Sequence, residues 1–509
     1  MWAFAKKTKS RGIKPDCTPT SLAPMHIFAQ GLYLVWFLSV GLVFLPLEVC
    51  GGDIRGDGEF FHLVSPGESL NRIASRYLPR TEAITVGELI EKIRTLNRIQ
   101  ESLIRPNQRL LIPLARCAPL QAKTVPKQRD FEARGIYLNR FSMGCKKMGR
   151  LIDKLICHGG NAVIMDVKDM NGRLCYPSRV SLAKEIGASA RSIISDPSRL
   201  FHYLHKKGLH AIVRLVLFYD PLLAGERPEL ALRCMSTGEP YREKGTIAWV
   251  DPRQPAVQRY NLDIAKELAE MGADEIQFDY IRFPTMGDID EDELSLEEQQ
   301  IPRHKVIADF LAQAHNELLP YKVLVSIDVF GIAGWGRAED IRITGQKIEE
   351  LVRHCDVVSP MIYPSHYYGR FQGIANPGGQ PFHLVSETCR RFTTLVEGLE
   401  VTLRPWIQAF PWGAENFSDG YILEQLCALD QSKSRGWLLW SAGNAYDAAW
   451  RAWALWNERT SNQITASAQP FRINSRDSMP GYDSKFLRHL PIPGSVRSKP
   501  HTYLQVSYE

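Results

Sequence analysis

The chain has 509 residues, more than the roughly 100–200 of an ordinary domain, so one large domain with accessories is expected. Hydrophobic residues make up 44% and charged residues 23%, near the average of globular chains, which excludes a collagenous or low-complexity protein. The net charge of +6 is the balance of 62 basic and 56 acidic residues, and no Lys/Arg stripe tracks through it, so no nucleic-acid partner is expected.

Residues 1–52 read as an export signal or membrane anchor. A basic stretch, Lys6-Lys7-Thr8-Lys9-Ser10-Arg11, precedes an uncharged apolar run from Gly31 to Leu47 and then Cys50-Gly51-Gly52. That run sits at the lower edge of the ~17–25 residues that cross a bilayer, which leaves a cleaved peptide and a retained anchor both open. Either way the expected place is extracytoplasmic, in the cell envelope or at its surface, with membrane contact through this segment. Ten cysteines are scattered without C-x-x-C spacing, and most are expected to be ordinary core residues.

Residues 60–114 have the pattern of a small βααβ unit. A strand, Phe61–Val64, is followed by Pro66-Gly67-Glu68-Ser69, a helical Leu70/Ile73/Ala74/Tyr77 face, a second helix to Asn97 and a closing strand Leu110–Pro113, with Ser69 or Glu68 placed to cap the first helix. Val64-Ser-Pro-Gly-Glu-Ser-Leu70, Leu96-Asn97 and Ile104-Arg-Pro-Asn-Gln-Arg-Leu110 resemble a LysM domain. The resemblance implies binding of an N-acetylglucosamine-containing glycan, such as peptidoglycan. Its groove would lie between Pro66, Gly67, Glu68, Ser69 and Leu70 on one side and Ile104, Pro106, Asn107 and Gln108 on the other. Asn107 stands where the family usually has Gly, and the second helix is longer than usual. A fold kept as a spacer or protein contact is the alternative.

Residues 115–133, polar and carrying Pro119 and Pro126, read as a linker, and 457–509, rich in Ser, Pro, Arg and Asn, as a disordered tail. Between them, 134–456 alternates apolar, β-branched runs with helical segments: Gly135–Phe141, Ala162–Val167, Ala211–Phe218, Glu275–Phe283, Val323–Phe330, Val357–Tyr363, Pro405–Phe410 and Gly436–Trp440. Eight strands apolar on both faces predict an α/β fold, a (β/α)₈ TIM barrel. No glycine fingerprint follows the first strand, so no nucleotide cofactor is expected, and the histidines lack the pairing that holds a catalytic metal.

Barrel chemistry is built at the carboxyl ends of the strands. There the sequence offers Asp166, Lys168 and Asp169 on the second strand and Arg214 on the third. The fourth carries Gln277, Asp279 and Arg282, the fifth Asp328, the sixth Tyr363, the seventh Gln408 with Trp412 following, and the eighth Trp440. Period-two alternation points Gln277 with Asp279, Ser326 with Asp328, and Asp166 with Lys168. Carboxylates in apolar strands are costly unless paired. They are therefore either structural ion pairs, Asp279 with Arg214 and Asp328 with Arg337, or the two carboxyls that glycoside hydrolysis requires. Adjacent strands lie ~4.8 Å apart, which suits a catalytic pair at matched depth. Trp335, Tyr363, Tyr367, Tyr368, Trp406, Trp412 and Trp440 add flat faces for sugar rings.

Arg134-Gly-Ile-Tyr-Leu138, Met165-Asp-Val-Lys-Asp169, Glu275-Ile-Gln-Phe-Asp-Tyr-Ile-Arg-Phe-Pro284, Ser326-Ile-Asp-Val-Phe-Gly331 and Ser359-Pro-Met-Ile-Tyr-Pro364 together resemble a bacterial glycoside hydrolase domain long filed as a domain of unknown function and distantly similar to the α-amylase-like barrels. The resemblance implies Asp279 as nucleophile and Asp328 in the acid/base position. Those enzymes carry Glu at the latter, so Asp169 and Glu415 are substitutes to test. The expected function is carboxylate-based hydrolysis of an envelope or extracellular polysaccharide, held by the LysM module. Its rival is a non-catalytic glycan-binding or envelope-scaffold protein.

Overall fold

The computed structural model describes residues 60–467 apart from 82, 85, 101–102, 114–130, 235–236, 286–300 and 368. The targeting segment, nearly all of the linker, Tyr368 and the tail beyond 467 lie outside the described residues. No helix among those described is long and apolar enough to cross a membrane.

In the amino-terminal module, β1 (Phe60–Leu63) pairs antiparallel with β2 (Arg109–Ile112), Phe60 opposite Ile112. Helices Leu70–Tyr77 and Val86–Asn97 pack on them. The first helix buries Leu70, Ile73, Ala74 and Tyr77, the i, i+3, i+4, i+7 stripe read from the sequence. Ser69 caps it by accepting from the Arg72 amide at 3.3 Å.

The large domain runs through β3 (Ala133–Leu138), β4 (Ala162–Lys168), β5 (His210–Val216), β6 (Glu275–Asp279), β7 (Leu324–Phe330), β8 (Val357–Ile362), β9 (Thr402–Leu403), β10 (Trp406–Gln408) and β11 (Gly436–Trp440). β9 and β10 are two pieces of one stave, both paired to β8 and separated at Arg404-Pro405. Pro405 has no amide to give to the ladder. All pairings are parallel, and β11 returns to β3, so eight staves close the barrel. The closure needs Gly436: its φ is +80°, and a Cβ there would lie 1.8 Å from the Ala133 carbonyl oxygen. Amphipathic helices such as Pro255–Glu270 and Arg303–Leu318 cover the outside.

Three of the expected boundaries shift furthest. The first barrel strand stops at Leu138, because Asn139 caps the short helix Arg140–Met143 through its side chain. The fourth ends at Asp279 rather than Phe283, because Tyr280 turns into the left-handed region at φ +52°. The last helix, Asp447–Ser467, continues past Trp456, where an aperiodic tail was expected. All seven cysteines among the described residues are free: Cys175, Cys355 and Cys389 are buried, while Cys145 and Cys157 are exposed, so the core expectation fails for that pair.

The barrel interior is polar at its amino-terminal end. Glu275, fully buried, accepts from Arg404 at 2.8 and 2.9 Å and faces the His210 ring at 3.0 Å. Burial opposes its ionisation, yet Arg404 and His210 outweigh burial and hold the carboxyl at about 2.

The two modules touch through Arg199. From helix Pro197–Lys206 it donates through one terminal nitrogen to the carbonyls of Leu78 and Ala83 and through the other to that of Pro79 at 2.6 Å.

Candidate active site at the carboxyl ends of the barrel strands

Arg214 of β5 is the hub of the barrel's upper end. Its Nε and one terminal nitrogen donate to Asp279 Oδ2 at 2.9 and 2.6 Å, and the other terminal nitrogen donates to Asp166 Oδ1. Asp166 Oδ2 accepts from the Tyr137 hydroxyl at 2.9 Å. The guanidinium lies over the Trp440 ring at 5.1 Å, and Trp440 packs on Tyr137 with centroids 4.1 Å apart. Burial disfavours the charge on Arg214, but Asp279 and Asp166 outweigh it and drive its pKa upward. Burial raises Asp166, against Arg214 and the Tyr137 bond, and burial followed by the charge of Asp166 raises Tyr137.

Asp328 stands on the neighbouring stave. The β6–β7 register pairs Gln277 with Ser326 and Phe278 with Ile327; continued by one residue it brings Asp279 beside Asp328, and the Asp279 charge acts on the Asp328 carboxyl. Asp328 is 1% exposed and accepts from Trp406 Nε1 at 2.7 Å. Burial and then the charge of Asp279 push its carboxyl well above the usual range, against the pull of Arg214 and the Trp406 bond. Two carboxyls thus share one layer of the barrel in opposite settings: Asp279 is clamped by a cation, and Asp328 favours its protonated form. Arg337, the partner expected for Asp328, turns instead to Asp340 at 3.6 Å.

Other predicted residues fall elsewhere. The β4–β5 register slips between Asp166 and Lys168, so these two do not share a face as alternation predicted. Lys168 points outward from the barrel, fully buried, to Asp220 at 2.7 Å and Asn261 at 2.9 Å, out of a ligand's reach. Gln277 is sealed one layer below Asp279 and donates to Ser359 at 3.4 Å. Gln408 is likewise buried and holds loops, accepting from the Ser365 amide at 3.1 Å and donating to the carbonyls of Phe410 and Trp412. Arg282 is buried among the rings of Trp249, Tyr280 and Phe330 at 4.6 to 4.9 Å and stiffens the turn after Asp279. Asp169 takes Arg140 at 2.8 Å on one oxygen and the amides of Asn171 and Arg173 on the other, which occupies it as a substitute acid. Glu415 is exposed on the loop after β10. Tyr363 is buried against Phe410, while Trp412 is 43% exposed.

The expected glycan groove keeps its two loops together, because the Val64 amide donates to Gln108 and the Asn107 amide to Val64. Asn107 adopts φ +65°, the conformation for which glycine is the easier residue. Pro66 and Gly67 are exposed beside it. Pro106 is also exposed, and Ile104 is partly buried against the module's core. Glu68 faces inward instead, accepting from the Ser65 amide at 2.9 Å and meeting His62 at 2.8 Å and Arg76 at 3.0 Å. Leu70 belongs to the module's core.

Tyr137 was not singled out from the sequence, and Trp406 was weighed as core or platform. Both belong to the carboxyl cluster, and the signal was available: each is an aromatic residue with a polar handle on the inward-facing period of a barrel strand. Among the described residues no group of three His, Cys, Asp or Glu is arranged to hold a metal.

Residues 135–446 match the family described as "Putative glycosyl hydrolase domain", and residues 62–113 match the LysM domain. No curated protein matches the chain. Among solved structures, a hypothetical protein from Ruminiclostridium thermocellum ATCC 27405 is 33% identical over 38% of this chain and 97% of its own, with a TM-score of 0.34. The Bacillus megaterium QM B1551 spore cortex-lytic enzyme SleL is 11% identical over 78% of this chain and 86% of its own, at 0.38. The catalytic domain of β-amylase from Paenibacillus polymyxa is 11% identical over 67% and 99%, at 0.42. At these TM-scores no function carries over.

Proposed function

The chain belongs to this glycosyl hydrolase domain family, and from that premise we propose that the barrel hydrolyses a cell-envelope or extracellular polysaccharide using Asp279 and Asp328. The observation that carries the proposal is the adjacency of the two carboxyls on neighbouring paired strands, with Asp328 biased toward its protonated form. Asp328 gives its proton to the glycosidic oxygen as the bond to the anomeric carbon breaks. Asp279 attacks that carbon, and water deprotonated by Asp328 then releases the sugar from Asp279. Carboxyls on neighbouring staves, ~4.8 Å apart, suit this retaining course rather than the wider spacing of inverting enzymes. Tyr137 and Trp440 supply ring faces beside the cluster. The LysM module holds the enzyme on an N-acetylglucosamine-containing glycan, and the amino-terminal segment places it outside the cytoplasm.

A second reading has its own observation. Arg214 directs two donors to one oxygen of Asp279, the geometry of a structural ion pair, and a barrel so braced could bind glycans without turnover. Reducing-end release from purified wall polymers decides between them. Hydrolysis by the wild type, lost in Asp279→Asn with binding retained, supports the enzyme; binding without hydrolysis of any polymer by the wild type supports the scaffold.

A further inference from the structure

A cleft of about 630 Å³ lies on the same face of the barrel as Asp279, between the loops that follow β3, β4 and β5. Phe141, at its edge, is 74% exposed on a chain whose other aromatic rings are mostly covered. Three arginines line it. Arg140 is satisfied by Asp169 and by the Arg191 carbonyl at 2.7 Å. Arg173 and Arg191 have no acidic partner among the described residues. With Asp169 neutralised by Arg140, the cleft keeps the charge of two guanidiniums beside one open ring face.

The cleft is also held in shape from below. Asp169 accepts from the amides of Asn171 and Arg173 and closes the turn that presents Arg173. Gly172, at φ +71°, sits so close to Asp220 that a Cβ would lie 2.0 Å from its Oδ1. Asp220 is in turn fixed by Lys168 and by the Leu223 amide. The buried ion pair beneath the turn holds the backbone that presents Arg173 at the cleft, which lowers the ordering cost of binding.

We propose that this cleft is a subsite for an acidic sugar, with Arg173 and Arg191 taking its carboxylate and Phe141 stacking on its ring. Guanidinium and carboxylate match in geometry and charge, and an exposed ring beside them suits the apolar face of a pyranose. The proposal rests on the barrel acting on glycans and names the class of glycan: a polymer carrying carboxylates, with an acidic residue a short distance along the chain from the bond at Asp279.

Calorimetric binding tests it without requiring turnover. Hexuronate oligosaccharides and N-acetylmuramic-acid-containing oligosaccharides are each compared with their carboxyl methyl esters, using the full chain. One acidic member is expected to bind about tenfold more tightly than its ester, and the preference to shrink as salt is raised. In R173Q/R191Q the acid is expected to fall to the affinity of the ester, while Phe141→Ala weakens both alike. Equal binding of acid and ester by the wild type, no binding of any acidic member, or an unchanged preference in R173Q/R191Q overturns the subsite. A subsite that binds acids in a protein that hydrolyses nothing overturns only the hydrolase reading.

Discussion

Arg214 reaches Asp279 only through Oδ2, at 2.9 and 2.6 Å, and leaves Oδ1 to the backbone amide of Tyr280 at 2.6 Å. The Tyr280 backbone is left-handed at φ +52°, an uncommon state for a residue with a ring, and it ends the strand directly after the carboxylate. Asp279 is thus fixed at both oxygens, while Asp328 on the neighbouring strand accepts from one indole, forms no ion pair among the described residues and feels the Arg214 charge only at a distance. The two carboxyls are pushed toward different roles by their surroundings rather than by their residue type.

Removing the cation exposes how much of this is structural. Arg214→Met leaves two buried carboxylates, Asp279 and Asp166, without a counter-charge, a change that typically costs about 3–5 kcal/mol. Urea unfolding at neutral pH is expected to report a loss of that order, and the gap to the wild type should narrow in acid as the orphaned carboxyls protonate. Equal stability at neutral pH would mean that Arg214 contributes nothing to the fold.

Asp328 carries the pH dependence. Its folded pKa is raised, so the protonated form predominates up to a higher pH than in the unfolded chain, and kcat/KM should fall as pH rises through the raised value. The linkage has the same sign: the stabilising preference is complete below the ordinary carboxylate range and is lost as pH climbs through the folded pKa. Asp328→Asn should therefore gain stability relative to the wild type as the pH is raised. It should also lose about 10²–10⁴ in kcat/KM on ordinary glycosides while sparing kcat/KM on aryl glycosides with acidic leaving groups, whose kcat still falls because the second step lacks its base. An equal loss on both substrate types would remove Asp328 from the acid role.

Trp406 tunes that carboxyl. Its Nε1 donates to Asp328 Oδ1 at 2.7 Å and favours the ionised form, opposing burial. Trp406→Phe keeps a ring in the core and deletes the donor, so the alkaline limb of the pH profile should move to higher pH. A limb that stays in place, or moves down, contradicts the assignment. The fold should weaken by about 1–3 kcal/mol, the cost of a buried acceptor left without its bond.

These sites were unequally legible in the sequence. The eight staves were readable because runs such as Ala211–Phe218 are apolar on both faces, which only a covered parallel strand needs. Asp279 and Asp328 were readable as a pair because period-two alternation survives to the ends of β6 and β7. It does not survive in β4, where the slip between Asp166 and Lys168 sends the lysine to Asp220, and nothing in Asp166-Val167-Lys168 announces a bulge. The Asp279–Arg214 pair stood among the alternatives, whereas Asp328 with Arg337 did not form, because Arg337 follows its strand by a turn and finds Asp340 first. Arg404 under Glu275 and Arg199 against the LysM module could not be read at all. Each joins segments more than a hundred residues apart, and only the closed barrel brings them together.

Arg199 makes the last test, since it decides whether the glycan-binding module is tethered or fixed. Arg199 is 8% exposed and holds three carbonyls of one short segment, those of Leu78, Pro79 and Ala83, beside Ile84, which packs on the barrel core, while Lys146 with Glu91 at 3.8 Å lies at the exposed surface. Hydrogen bonds from a charged group contribute about 1.5–3 kcal/mol each and a surface pair contributes little, so Arg199 should carry a large share of the docking energy beside the apolar contact of Ile84. Arg199→Ala is expected to split a single thermal transition into two, the LysM module melting first, and to open the 78–83 segment to protease while the barrel stays resistant. Coincident melting of both modules in the variant would show that other contacts hold the LysM module in place.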